Sequence, residues 1–104
     1  MNFVTIENKK YNVRFSMRAF VEFERITGKQ LMSLDTQKTD FDTIVTLCYV
    51  ALIDGARKTK SKLTKEENKE WLIDCISDDM DIMNEILKAF GDSTKKKKTR
   101  KKAR

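Results

Sequence analysis

Residues 41–58, FDTIVTLCYVALIDGARK, decide the fold. Phe41, Ile44, Val45, Cys48, Ala51 and Leu52 recur at the spacing of one helical stripe. Tyr49, Val50 and Ile53 spread apolar surface well beyond that stripe. A helix apolar on most sides is either central to its fold or buried by a neighbour. In so small a protein, one of its faces is open to being covered by another subunit. Asp40 stands at the N-cap, where a side-chain oxygen can accept from a free backbone N–H.

Upstream, the pattern changes period. NFVTIE and YNVRF are β-rich alternating runs around the short polar turn NKK at 8–10, which reads as an antiparallel hairpin. Two strands alone are marginal, so the hairpin must lay one face on a helix. Ser16 is the natural N-cap of a helix starting at Met17. Its wheel gathers Ala19, Phe20, Phe23 and Ile26 opposite Arg18, Glu22 and Arg25, and Gly28 can supply its left-handed stop. The connector KQLMSLDTQKT carries a possible helical turn at Leu31–Leu34.

Downstream, the basic loop ARKTKSK leads to Thr64 and Glu67, which have capping-box spacing. Trp71, Leu72, Cys75 and Ile76 form the apolar side of the helix that follows. A last helix turns Ile82, Met83, Ile86, Leu87 and Phe90 inward, with Gly91 as its stop. The expected fold class is mostly α (α+β): an N-terminal hairpin, about four amphipathic helices, and a disordered basic tail. One small domain, 1–92, precedes that tail at 93–104.

The overall charge of +6 divides unevenly along the 104 residues. Before Ser93 there are fourteen Lys and Arg against sixteen Asp and Glu, a net charge of −2. The remaining cations are Lys95, Lys96, Lys97, Lys98, Arg100, Lys101, Lys102 and Arg104. Such a run could contact polyanions with a steep salt dependence, but without an aromatic to stack on a base it would bind without sequence preference. As a solvated terminus it needs no ligand at all.

Catalytic chemistry has few candidates. No histidine is present, which removes the commonest proton-transfer group near neutral pH. Cys48 and Cys75 lack zinc-ligand spacing and sit in apolar helical patterns, so both are expected as free core residues in a reducing compartment. Asp78, Asp79 and Asp81 lack a calcium loop's glycine and closing glutamate, whereas acids suit a helix's first turn. Three scattered glycines make no phosphate loop. The expectation is a non-enzyme with no metal or cofactor. No apolar run reaches membrane-spanning length and the opening MNFVTIENKK is unlike a secretion signal, so a soluble, intracellular protein is expected.

The stretch YNVRFSMRAFVEFERITGKQLMSL resembles the N-terminal segment of tail assembly chaperones from long-tailed bacteriophages and prophages. The pattern is a strand, an aromatic, a helix with an alanine and a large apolar residue, then a glutamate and a Thr-Gly ending. It maps onto Phe15, Ala19, Phe20, Glu24, Thr27 and Gly28. TLCYVALIDGARK followed by LTKEENKEWL is similar to that family's second and third helices, and the likeness covers most of residues 3–90.

The resemblance implies a non-enzymatic protein of the bacterial host cytoplasm. It would keep the long helical tape measure protein soluble, help recruit tail tube subunits, and self-associate. It also implies a possible frameshifted longer product, with a lysine run written by slippery codons. The candidate partner or oligomer contacts are Met17 and Val21, off the first helix's core stripe, with Tyr49, Val50 and Ile53 on the second. These residues can equally pack under the hairpin or the connector. The competing expectation is a small accessory nucleic-acid-binding protein using the basic tail.

Overall fold

The computed structural model describes residues 2–35 and 38–102, without the side chains of Met32 and of residues 93–102. Strands β1 (Asn2–Ile6) and β2 (Lys9–Val13) form an antiparallel hairpin. Helices α1 (Met17–Thr27), α2 (Phe41–Lys58), α3 (Lys69–Asp78) and α4 (Asp81–Lys102) follow, with a single 3-10 turn at Leu31–Ser33.

The hairpin pairs Asn2 with Val13 and Ile6 with Lys9. Its turn is therefore the two residues Glu7 and Asn8, both at positive φ (52° and 67°), one position ahead of the expected NKK turn. Two left-handed residues match the right-handed twist of paired strands, which is why short hairpins favour such turns. Pairing Val4 with Tyr11 puts both on the core side, where Ile6 and Val13 join them.

The expected caps are present at both ends of α1. Ser16 accepts from the Arg18 N–H, and Gly28 closes the helix at φ 71° with its N–H donating to Glu24 O. Ala19 and Phe23 are buried and Phe20 is partly so, but Ile26 is 53% exposed and leaves the predicted core stripe. It lies in the helix's last turn and belongs to neither apolar cluster.

Asp40 caps α2 as expected, accepting from the Thr43 N–H. From Thr43 to Ala56 nearly every side chain of α2 is buried, and α1, β2, α3 and α4 all pack against it. Its all-round apolarity thus has a source within the chain: α2 is the axis of the fold. Phe41, placed on the main stripe by spacing, is 71% exposed because it precedes the packed stretch.

Two apolar clusters share this axis. One joins the hairpin to α2, α3 and α4; the other joins Ala19 and Phe23 to Leu31, Leu47 and Val50. Phe15 and Leu87 touch both. Phe15 also meets Phe90 edge-on at 5.2 Å, so strand exit and last helix are pinned together.

Polar groups fix the hairpin on α2. Asn12 Nδ2 donates to Gly55 O (3.0 Å), the Arg14 N–H to Ala51 O (3.2 Å), and the Ser16 N–H and hydroxyl to Asp54 Oδ2 (3.1 and 2.5 Å). A Cβ on Gly55 would stand 1.9 Å from Asn12 O, closer than any real contact.

Beyond Phe90 the helix does not stop at Gly91. The backbone continues helically to Lys102, so the basic segment begins as an extension of α4. A Cβ added at Gly91 would meet nothing within 4 Å, and lysine and arginine are good helix formers.

The two glycines should respond oppositely to alanine. Gly55→Ala is expected to cost at least about 2 kcal/mol in denaturant unfolding, because strand and helix must separate. Gly91→Ala is expected to stabilise by roughly 0.5–1 kcal/mol, as for a glycine inside a helix.

Candidate functional site

The end of α2 is closed by a well-defined cap. Thr59 is the C-cap; the Lys60 N–H donates to Arg57 O and the Ser61 N–H to Ala56 O. This is the double bond pattern that closes a helix through one left-handed residue. That residue is Lys60, at φ 60°, where glycine would fit without strain.

The loop after it is held by Glu67, a buried carboxylate. Thr64 and Glu67 exchange the bonds of a capping box: the Thr64 N–H donates to Glu67 Oε1 (2.7 Å) and the Glu67 N–H to Thr64 Oγ1 (3.3 Å). The box closes a separate turn, however, and not the start of α3. Glu67 Oε2 is tied to the hairpin by the Tyr11 hydroxyl and by Lys9 Nζ (3.1 Å). The helix starts at Lys69, with Asn68, four positions after Thr64, as N-cap accepting from the Trp71 N–H.

The Thr64 N–H, then the Tyr11 hydroxyl, hold the Glu67 carboxyl down to about 2. Burial, then the Glu67 bond, pushes the Tyr11 hydroxyl well above its usual range. Trp71 packs on the Tyr11 ring at 5.6 Å and donates to Glu7, so the latch fastens turn, strand and helix together.

The latched loop walls an open groove. Tyr49 and Ile53 from α2 and Leu63 from the loop make its apolar part; Arg57, Lys60 and Lys62 stand around it. A second groove lies across the loop, between Phe3, Lys9 and Lys10 and the same Ser61–Leu63 segment.

Of the candidate contacts inferred from spacing, Tyr49 and Ile53 come together in this groove, each half-buried. Met17 and Val21 form a second apolar area on the outer side of α1, 67% and 39% exposed. Val50 is a correction. At 1% exposure it belongs to the core, because α1 packs on that side of α2 and supplies Ala19 and Phe23 as its neighbours. The side chains of Lys95, Lys96, Lys97, Lys98, Arg100, Lys101, Lys102 and Arg104 lie outside the described residues.

The cations of the groove were hidden in the bulk arithmetic. A body charge of −2 conceals the clustering of Arg57 and Lys58 in the last turn of α2 with Lys60 and Lys62 on the loop after it. The basic run ARKTKSK carried that signal, and its position beside Tyr49 and Ile53 did not follow from spacing.

Neither cysteine has the environment of a nucleophile. Both are free and buried; burial pushes the Cys48 thiol up to about 12 and raises that of Cys75. A reactive thiol needs the opposite shift. Among the described residues, no group of three or more Cys, Asp or Glu could hold a metal ion, and no helix is long and apolar enough to cross a membrane.

No protein-family model, curated protein or solved structure matches this chain.

The Glu67 latch sets a pH dependence. A carboxyl whose folded value is depressed stabilises the fold fully above its unfolded value, near 4.5, and loses that contribution as pH falls toward about 2. Glu67→Gln should therefore lower stability at neutral pH and flatten the acid limb of an unfolding curve below about pH 4.5. Asp40, also lowered to about 2, acts in the same window in both proteins and cancels from the difference. Parallel curves would remove Glu67 from the role.

Proposed function

We propose that this chain is a non-enzymatic tail assembly chaperone of a long-tailed phage or prophage. In this reading it works in the host cytoplasm, covers apolar surface on the helical tape measure protein and helps recruit tail tube subunits. The supporting observation is the outer side of α1, where Met17 and Val21 are exposed on a helix otherwise fixed at both ends. A coiled-coil-like partner needs its apolar seam covered until the tube surrounds it, and an exposed apolar strip on a rigid helix suits that task.

The residues that carry the family resemblance have structural work of their own. Phe15 and Phe20 join Phe90 in an aromatic group, and Ala19 packs closely in the second core cluster. Glu24 accepts from the Leu31 N–H (3.1 Å), Thr27 binds back to Phe23 O (2.8 Å), and Gly28 ends the helix. The pattern therefore describes how α1 is built and how the chain leaves it. Contacts with a partner fall to residues outside the pattern.

The rival reading, an accessory nucleic-acid-binding protein, rests on the basic tail. On the described surface, Arg57, Lys60 and Lys62 surround an apolar floor of Tyr49, Ile53 and Leu63. Phosphate contacts need no such floor, whereas a polypeptide would use it.

Mixing purified chain with a tape measure protein, sought among the neighbouring genes, tests the proposal. Met17→Asp with Val21→Asp is expected to weaken binding by about tenfold or more while the helical signal and melting temperature hold. Val50→Asp should instead unfold the domain, since it places a charge in the core. Undiminished tape measure binding by the Met17 and Val21 variant would contradict the proposal, as would duplex binding that survives physiological salt in place of it.

A further inference from the structure

We infer that the basic-rimmed groove beside α2 is a docking site for a second copy of this chain, which inserts the acidic corner between its α3 and α4. The inference names surfaces for the self-association expected above. It does not depend on the tape measure reading, which uses α1.

The groove offers two kinds of attraction at once. Tyr49, Ile53 and Leu63 are apolar and half-buried, so a partner side chain could complete their burial. Arg57, Lys60 and Lys62 are exposed, and among the described residues none of them has an ion-pair partner. Lys60 holds its charge there in a left-handed conformation that disfavours side chains. Strain of this kind persists where the side chain has a use.

The complement lies on the same molecule. Asp78, Asp79 and Asp81 are exposed at the α3–α4 corner, again with no ion-pair partner among the described residues. Met80, 48% exposed, stands among them. Its unbranched, polarizable side chain adapts well to an apolar recess. The corner is stiff: the Asp81 N–H donates to Asp79 Oδ1 (3.0 Å), the Ile82 N–H to Asp79 O (3.2 Å), and the Asp79 N–H to Cys75 O (3.0 Å). Three acids around a methionine thus face three cations around an apolar floor.

One chain cannot make this contact with itself. The ten residues of α3 separate the corner from the latched loop by about 15 Å at 1.5 Å per helical residue. A contact between unlike surfaces is head-to-tail, and repeats until it closes a ring or continues as an open chain. Its exposed ion pairs weaken as salt rises.

Sedimentation of the full chain across concentration, at low and high salt, tests this directly. The wild type should form larger species at low salt and fewer at high salt. Lys60→Glu with Lys62→Glu, and separately Asp78→Lys with Asp81→Lys, should each reduce self-association by about tenfold or more. Both reversals in one chain should restore it, since the charges again match. Met80→Ser, which leaves every charge in place, should weaken association and guards against misfolding of the corner variant. Each chain's helical signal and melting curve are recorded alongside. A wild type that stays single-copy at low salt overturns the inference. So does a groove reversal that leaves the mass unchanged, or a double reversal that fails to recover it while folded. Loss of duplex or tape measure binding by the groove variant, with self-association intact, would give the groove to that other occupant and equally overturn it.

Discussion

The fold depends on one close approach: the backbone of β2 lies against the backbone of α2 at Asn12 and Gly55. Only a residue without Cβ permits it, since that atom would stand 1.9 Å from a carbonyl oxygen. Once the two backbones meet, three residues spaced two apart, Asn12, Arg14 and Ser16, reach Gly55, Ala51 and Asp54. Strand alternation is thereby matched to one side of a helix. The odd-numbered neighbours Tyr11, Val13 and Phe15 are left to the apolar clusters. The hairpin, marginal alone, becomes part of the core.

This arrangement has a cost. Asn12 Oδ1 and Asp54 Oδ1 are buried with no hydrogen-bond partner among the described residues, a cost of about 1–3 kcal/mol each against folding. The opposing gain lies in what the contact brings together. Ser16 bonds Asp54 while also capping α1, so the same residue orients the hairpin, starts the first helix and points Met17 outward. At the other end of the hairpin, Tyr11 and Lys9 gather Glu67 and fix the loop that forms the groove. The groove and the exposed side of α1 are thus both positioned by the packing of β2 on α2.

Much of this could be read from residues with local signatures. Ser16, Gly28 and Asp40 mark helix ends because their chemistry acts within a turn of the chain. The alternating runs mark a hairpin, though the twist preference for a two-residue turn moved it to Glu7 and Asn8. Elements whose outcome depends on distant partners were less legible. The apolar breadth of α2 suggested a central helix without showing which sides its own chain would fill, so Val50 passed for surface while Phe41 and Ile26 passed for core. The Thr64–Glu67 box forms but closes only a turn, because Glu67 also answers to the hairpin. Gly91 has the residue type of a stop but not the surroundings of one. Gly55, the most demanding position, carries no local signal inside an apolar helical run.

The candidate surfaces divide by chemistry: an apolar strip on α1 suited to a helical partner, and a basic groove with an acidic counterpart suited to self-association. Their common premise is that apolar side chains left exposed by this core meet other polypeptides. Oxidative footprinting of the methionines tests that premise most directly, because Met17 and Met80 are exposed and Met83 is buried. Adding the tape measure protein should slow labelling at Met17, raising chain concentration should slow it at Met80, and Met83 should stay unreactive throughout. Unchanged labelling at both Met17 and Met80, with either partner saturating, would contradict it.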